Sequence, residues 1–337
     1  MAYLNVQAFA RAQGKIEGVR GTAETVMTRW LTTLGPISVT VDQPRDDEPE
    51  TTRSLAATRD TTLGKQSSTL RVEARLSYEE AIWWNNLALK GASLTGTTTG
   101  STPPGYTYTI NPVDTADDLA TATIKVGDSA TCYVYRRCAV NTMTVTCNPD
   151  AGGNPTWRMT ADLIGIFVGT GTFDSPADIT RTIVTAYPSA LFLDSGAGLI
   201  GASAVAGWRN FSYTVNNNLE EKHFGDTGLT AAPDFGRGYR MVTGEYSVEH
   251  TNDTTWATMR ANAPVKIRMQ KTGANIGATP TADYRYRVDI PQGKLNSPSN
   301  SYMGNNLVYT YTWVAEKPAA TAEILTETVI AAATVTA

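Results

Sequence analysis

Ile37-Ser-Val-Thr-Val41 and Phe211-Ser-Tyr-Thr-Val215 are two copies of one pattern, apolar residues alternating with hydroxyl residues. A period of two sends successive side chains to opposite faces and marks a half-buried strand. Each copy runs into a long polar stretch and then a second alternating strand ending in a short amphipathic segment with tryptophan. In the first copy this is Leu70-Arg-Val-Glu-Ala-Arg-Leu-Ser-Tyr-Glu-Glu-Ala-Ile-Trp-Trp84; in the second it lies between Tyr239 and Trp256. The duplication, over residues 37–89 and 211–261, predicts one β-rich module used twice. Repeats constrain architecture before any motif does.

A chain of 337 residues suits about two domains. Its hydrophobic fraction of 41% supports real cores, while its charged fraction of 18% falls below the usual value of roughly 25%. Threonine, alanine and glycine fill the difference, and β-branched threonine suits a pleated surface. The expected class is all-β: two tandem modules of β-sandwich or β-barrel type, each with a short helix and a long loop arm. The expected boundaries are an N-terminal arm at 1–35, a first module at 36–165, a connector at 166–206, a second module at 207–316 and a tail at 317–337. The tail is expected to be mobile in isolation, with Ile324, Leu325, Val329 and Ile330 available to pack on a partner.

The two loop arms occupy the same place in both copies. The first, residues 42–66, carries Asp46, Asp47, Glu48, Arg53, Arg59 and Lys65; the second, residues 216–238, carries Glu220, Glu221, Phe224, Phe235 and Arg237. Connections in compact domains run to about 4–6 residues, so loops this long are functional or disordered. They are read here as candidate contacts between subunits, the plainer reading being solvated loops. Ser77-Tyr-Glu-Glu80 has the capping-box pattern, with Ser77 as N-cap and Glu80 three residues on. Ala81, Ile82, Trp84, Leu87 and Leu89 then supply an apolar face, which assigns Trp83 and Trp84 to the core.

The sequence carries no recognisable catalytic or metal-binding pattern. His223 and His250 lie in different segments, and Cys132, Cys138 and Cys147 match no metal-binding spacing. The cysteines are read as half-buried strand positions. Gly64-Lys65 is followed by Gln66 and has no glycine five residues before it, so it is no phosphate-binding loop. The carboxylates Asp117-Asp118 and Glu220-Glu221 fall in expected loops or turns, where solvated charge is the default. The expectation is a protein without enzymatic activity, cofactor or metal. The opening residues show no signal-peptide pattern, and no stretch approaches the ~20 apolar residues of a membrane helix. A soluble protein made in a cytoplasm is expected. The net charge of −4 argues against a dedicated nucleic-acid binder. A neutral or acidic wall would still let a duplex pass without sticking.

Arg137-Cys-Ala-Val-Asn-Thr-Met-Thr-Val145 with Trp157-Arg-Met-Thr-Ala-Asp-Leu-Ile-Gly165 resembles a hairpin of the tail tube (major tail) proteins of long flexible-tailed double-stranded DNA bacteriophages. Phe211-Ser-Tyr-Thr-Val-Asn-Asn-Asn-Leu-Glu220 and Tyr239-Arg-Met-Val-Thr-Gly-Glu-Tyr-Ser-Val248 resemble strands of a second such module. The likeness spans residues 15–316 and takes the form in which the tube module is doubled. The resemblance implies a virion protein of the tail, assembled in the host cytoplasm. Its subunits would stack as rings into a hollow tube for genome ejection. Single-module relatives form sixfold rings, so a doubled module implies threefold rings with pseudo-sixfold symmetry. Implied partners are further copies of itself, the tape measure protein, the tail terminator and distal tail or baseplate proteins. DNA would pass transiently, and no membrane is involved. Two alternatives stay open on residues alone: a β-sandwich carbohydrate-binding or adhesive module, and a minor tail or baseplate protein with the same module.

Overall fold

A computed structural model of the protein describes residues 11–43, 45–46, 62–63, 66–89, 96–99, 105–112, 119–128, 130–153, 155–222, 234–250, 254–276, 282–303, 306–318 and 323–332. The first half contains β1 (Arg11–Ile16), β2 (Arg29–Trp30), β3 (Ser38–Asp42), β4 (Arg45–Asp46), β5 (Thr62–Leu63), β6 (Ser67–Arg75) and α1 (Tyr78–Leu89). It continues through β7 (Thr97–Thr99), β8 (Gly105–Ile110), β9 (Ala122–Gly127), β10 (Cys132–Cys147) and β11 (Arg158–Gly171). The second half contains β12 (Ala190–Ser195), β13 (Trp208–Asn216), β14 (Leu219–Lys222), β15 (Asp234–Arg237), β16 (Met241–Glu249) and α2 (Thr254–Arg260). It ends with β17 (Val265–Asn275), β18 (Asp283–Leu295), β19 (Ser299–Met303), β20 (Asn306–Ala315) and β21 (Thr326–Ala331). The protein is all-β with two short helices among the described residues.

Both halves follow one antiparallel pairing order. In the first it is β1·β9·β10·β11·β6·β3; in the second it is β12·β17·β18·β20·β16·β13. Taken in chain order, each half places its first, fourth, fifth, sixth, third and second strand side by side. The repeat therefore takes in β1 and β12, which belong to the stretches expected as an arm and a connector. β11 runs across residue 165 to Gly171, so the expected module boundary falls inside a strand. The expected tail carries β21, paired on one side with β18 and on the other with β8 of the first half.

Alternation shows in strands with one wet face. β6 buries Leu70, Val72 and Ala74 and exposes Thr69, Arg71 and Glu73 between them. Its C-terminus turns into α1 through the expected cap. The Glu80 amide donates to Ser77 Oγ at 3.2 Å, and the Ser77 hydroxyl reaches Glu80 Oε2 at 3.4 Å. Every residue of α1 is buried, with Trp83 and Trp84 edge to face at 4.6 Å. Burial pushes the Glu79 and Glu80 carboxyls above the usual carboxylate range, opposed by the Thr182 amide at Glu79 and by Arg181 and the Thr32 amide at Glu80. Arg181 pairs with Glu80 at 3.0 Å.

One continuous core runs through both halves, and corresponding positions fill it with different residues. Where Leu70 faces Leu163 in the first half, Gly244 faces Trp313 in the second. A Cβ at Gly244 would sit 2.3 Å from the Trp313 ring and 2.3 Å from the Ser212 carbonyl oxygen. Gly244→Ala is therefore expected to destabilise the chain by about 1–3 kcal/mol, as overpacking does in a filled core. Denaturant titration reads it, and an unchanged midpoint would show that the indole shifts freely.

Candidate assembly surface

The two halves meet edge to edge where residues 142–147 of β10 pair with residues 211–216 of β13. Period two sorts this joint into two faces. On one, Met143, Val145, Cys147, Phe211, Tyr213 and Val215 are all fully buried. On the other stand Thr142, Thr144, Thr146, Ser212, Thr214 and Asn216, all half-buried. Directly opposed hydroxyls meet here, Thr144 Oγ1 lying 2.8 Å from Thr214 Oγ1. Ser247 and Thr310 repeat the contact at 2.8 Å between β16 and β20. At the end of the joint, Arg209 pairs with Asp150 at 3.0 Å and with Glu249. Glu249 holds the Arg209 guanidinium more firmly charged, as does Asp150. These ions are partly solvated, where pairs contribute little, so apolar burial and the ladder hold the joint.

Beneath the apolar face the Tyr213 hydroxyl donates to Glu327 Oε1 at 2.6 Å and lies 2.6 Å from the Tyr286 hydroxyl. Three strands thus converge on one fully buried carboxyl: β13 of the joint, β18 and the C-terminal β21. Burial pushes the Glu327 carboxyl up to about 8, partly offset by the two tyrosine hydrogen bonds. The same burial, with the nearby carboxyl, raises both tyrosines well above their usual range.

Both long loops begin as antiparallel hairpins, β4 with β5 and β14 with β15. In the second, Glu220 faces Gly236 and Glu221 faces Phe235 across the ladder, while Leu219 faces Arg237. Glu220 is exposed, and Glu221 and Arg237 are half-buried. Phe235 is only 4% exposed, its ring covered by its own chain. Asp46 lies on β4. Asp47, Glu48, Arg53, Arg59, Lys65 and Phe224 lie outside the described residues.

The root of the second hairpin depends on a residue that the sequence did not single out. Asn217, fully buried, donates to the carbonyls of Ala88 and Val140, each at 2.9 Å, and accepts from Arg240 Nε at 2.7 Å. One amide thereby fixes the arm to the end of α1 and to β10. Asn218, left-handed at φ 47°, turns the chain into β14. Asparagine tolerates that conformation better than most residues.

Cys132, Cys138 and Cys147 are buried free thiols, and burial pushes Cys147 up to about 12. Among the described residues no three His, Cys, Asp or Glu side chains are grouped to hold a metal ion. Among them, too, no helix is long and apolar enough to cross a membrane. The geometry offers edges, hairpins and a hydroxyl-lined sheet face, which are means of assembly.

Comparison with known families agrees. A family model described as phage tail tube protein matches residues 10–324. No curated protein matches the chain.

Proposed function

The chain belongs to the phage tail tube protein family, and from that premise we propose that it forms rings of three copies with pseudo-sixfold symmetry. The family is structural and non-enzymatic, its members self-assemble into a tube, and the chain is accordingly a protein of the virion tail. One observation carries the ring order: a single six-strand pairing sequence occurs twice in the chain. A module that joins its own duplicate edge to edge supplies half-steps of a ring, and three chains then supply a sixfold outline.

The hydroxyl face of the joint is our candidate for the wall of the channel. Thr142, Thr144, Thr146, Ser212 and Thr214 offer DNA neutral dipoles in place of ammonium or guanidinium groups. Affinity for a duplex rises with each phosphate neutralised by Lys or Arg, so such a wall favours passage over binding. The hairpins β4–β5 and β14–β15, repeated at one position, are our candidates for contacts between stacked rings. In a long flexible tail the tube would enclose a tape measure protein and meet terminator and distal tail proteins at its ends. Assembly would take place in the host cytoplasm.

Negative-stain electron microscopy of the concentrated protein tests the ring order, with hollow tubes or rings of threefold outline expected. Rings containing six chains would overturn it. Deleting residues 47–61, the span between β4 and β5, is expected to leave folded subunits that form rings without stacking. Normal tubes from that deletion would remove the first hairpin from the stacking contact.

A further inference from the structure

The β10–β13 joint is made inside one chain, and among the described residues the same two edges occur again without a partner. β3 holds in the first half the place that β13 holds in the second, and among the described residues it pairs with β6 alone. β19 holds the place of residues 142–147 of β10, and among the described residues it pairs with β20 alone.

Register fixes the correspondence residue by residue. The repeat equates Val39 with Tyr213, whose partners are Leu70 and Gly244. Leu70 in turn faces Leu163, and Gly244 faces Trp313. Counting back three residues along each strand equates Thr160 with Thr310, and these face Thr144 and Ser299. Ser299 therefore stands where Thr144 stands, and Tyr302 where Cys147 stands.

Exposure differs sharply between the two settings. Val215 and Cys147 are 0% exposed in the joint, whereas their counterparts Val41 and Tyr302 are 43% and 76% exposed. The helices behave alike. α1 is buried throughout and packs on β18 and β21 of the other half. α2, at the same point of the repeat, leaves Ala257 and Arg260 exposed. A groove of about 680 Å³ runs beside β3, lined by Ile37, Val39, Val41, Tyr133 and Tyr135, with Arg11 and Asp128 among its polar residues.

We propose that β19 of one copy pairs antiparallel with β3 of the next, repeating between chains the joint made within each chain. The inference rests on the self-assembly reading above and names its contact. The register sets Thr40 opposite Ser299 and Ser38 opposite Ser301, hydroxyl facing hydroxyl as at Thr144 and Thr214. It sets Tyr302 opposite Ile37, on the side of that groove. The occupant is a second copy of this chain, because the partner each edge lacks is one that this chain already builds. The contact is head to tail, since one end of the chain offers β3 and the other offers β19. Such contacts propagate and close into rings where the rotation permits. Pairing also covers two strand edges that would otherwise recruit other strands.

Cysteine cross-linking tests the register. Thr40→Cys with Ser299→Cys in one chain is expected, after mild oxidation of the assembled protein, to shift monomer into disulfide-linked dimers and trimers on non-reducing gels. Ser38→Cys with Ser301→Cys is a second in-register pair should the first fail to fold, the native thiols being buried. Thr40→Cys with Asn300→Cys places the second thiol on the opposite face and is expected to stay at background, because a disulfide needs Cβ atoms about 3.8 Å apart. Tubes that form but cross-link at neither in-register pair, or equally at the control, overturn the joint and leave self-assembly standing. A folded chain that remains monomeric at every concentration overturns both.

Discussion

Ending the chain after Lys317 is expected to cost most of its stability. The lost segment includes β21, which lies between β18 and β8 and so ties the second half to the first. Leu325 and Val329 are 0% exposed and Ile330 is 6% exposed. Full burial of such side chains contributes about 1.5–3 kcal/mol each. The sum is comparable with the entire net stability of an ordinary protein, about 5–15 kcal/mol. Truncation would also open two strand edges at once and strip Tyr213 and Tyr286 of their carboxyl partner. Open edges recruit other strands, so a lower melting temperature should come with light-scattering aggregates. A truncated chain that melts with the full-length protein and stays monodisperse would show that β21 is an ornament on the sheet.

That dependence was hard to foresee in the sequence, for a physical reason. β21 is buried at five of its six positions, so Thr326-Glu-Thr-Val-Ile-Ala331 carries no alternation, and a buried Glu327 disguises it further. β1 is similar: Ala12, Gln13 and Gly14 are buried in succession. Gln13 satisfies its amide on the backbone of Asp174, and Gly14 leaves room for the Trp83 ring. Strands covered on both faces lose the period-two signal that made β6 and β13 plain. The capping box of α1 was legible because cap chemistry is local. The arms were legible as places, since length and position mark them. Their residues were less so: Phe235, a candidate contact between subunits, is buried against its own chain. Asn217 lay unnoticed in a run of three asparagines, because its partners Ala88 and Val140 are adjacent only in the fold.

Raising the pH from 5 to 8 is expected to weaken the fold through Glu327, and Glu327→Gln to abolish that part of the pH dependence. Among the described residues the carboxyl has no cation among its hydrogen-bond partners, only the hydroxyls of Tyr213 and Tyr286. Burial therefore favours its neutral form and lifts it from 4.5 to about 8. Below pH 4.5 the group is protonated whether the chain is folded or not, and it costs nothing. Between the two values the unfolded chain has released a proton that the folded chain keeps, so stability falls as pH rises. Above about pH 8 the charge is present in both states and the loss is complete. One pKa unit corresponds to about 1.4 kcal/mol, which puts the whole effect on the order of a few kcal/mol. Glutamine cannot ionise, though it leaves one amide hydrogen without a partner, so the variant should be the weaker protein at pH 5. By pH 8 that order should shrink or reverse. Denaturant titrations of both proteins at the two pH values measure this directly, because every other carboxylate cancels in the difference. Parallel pH profiles would mean that Glu327 is charged in the folded protein and that the two tyrosine hydroxyls stabilise it far better than burial penalises it.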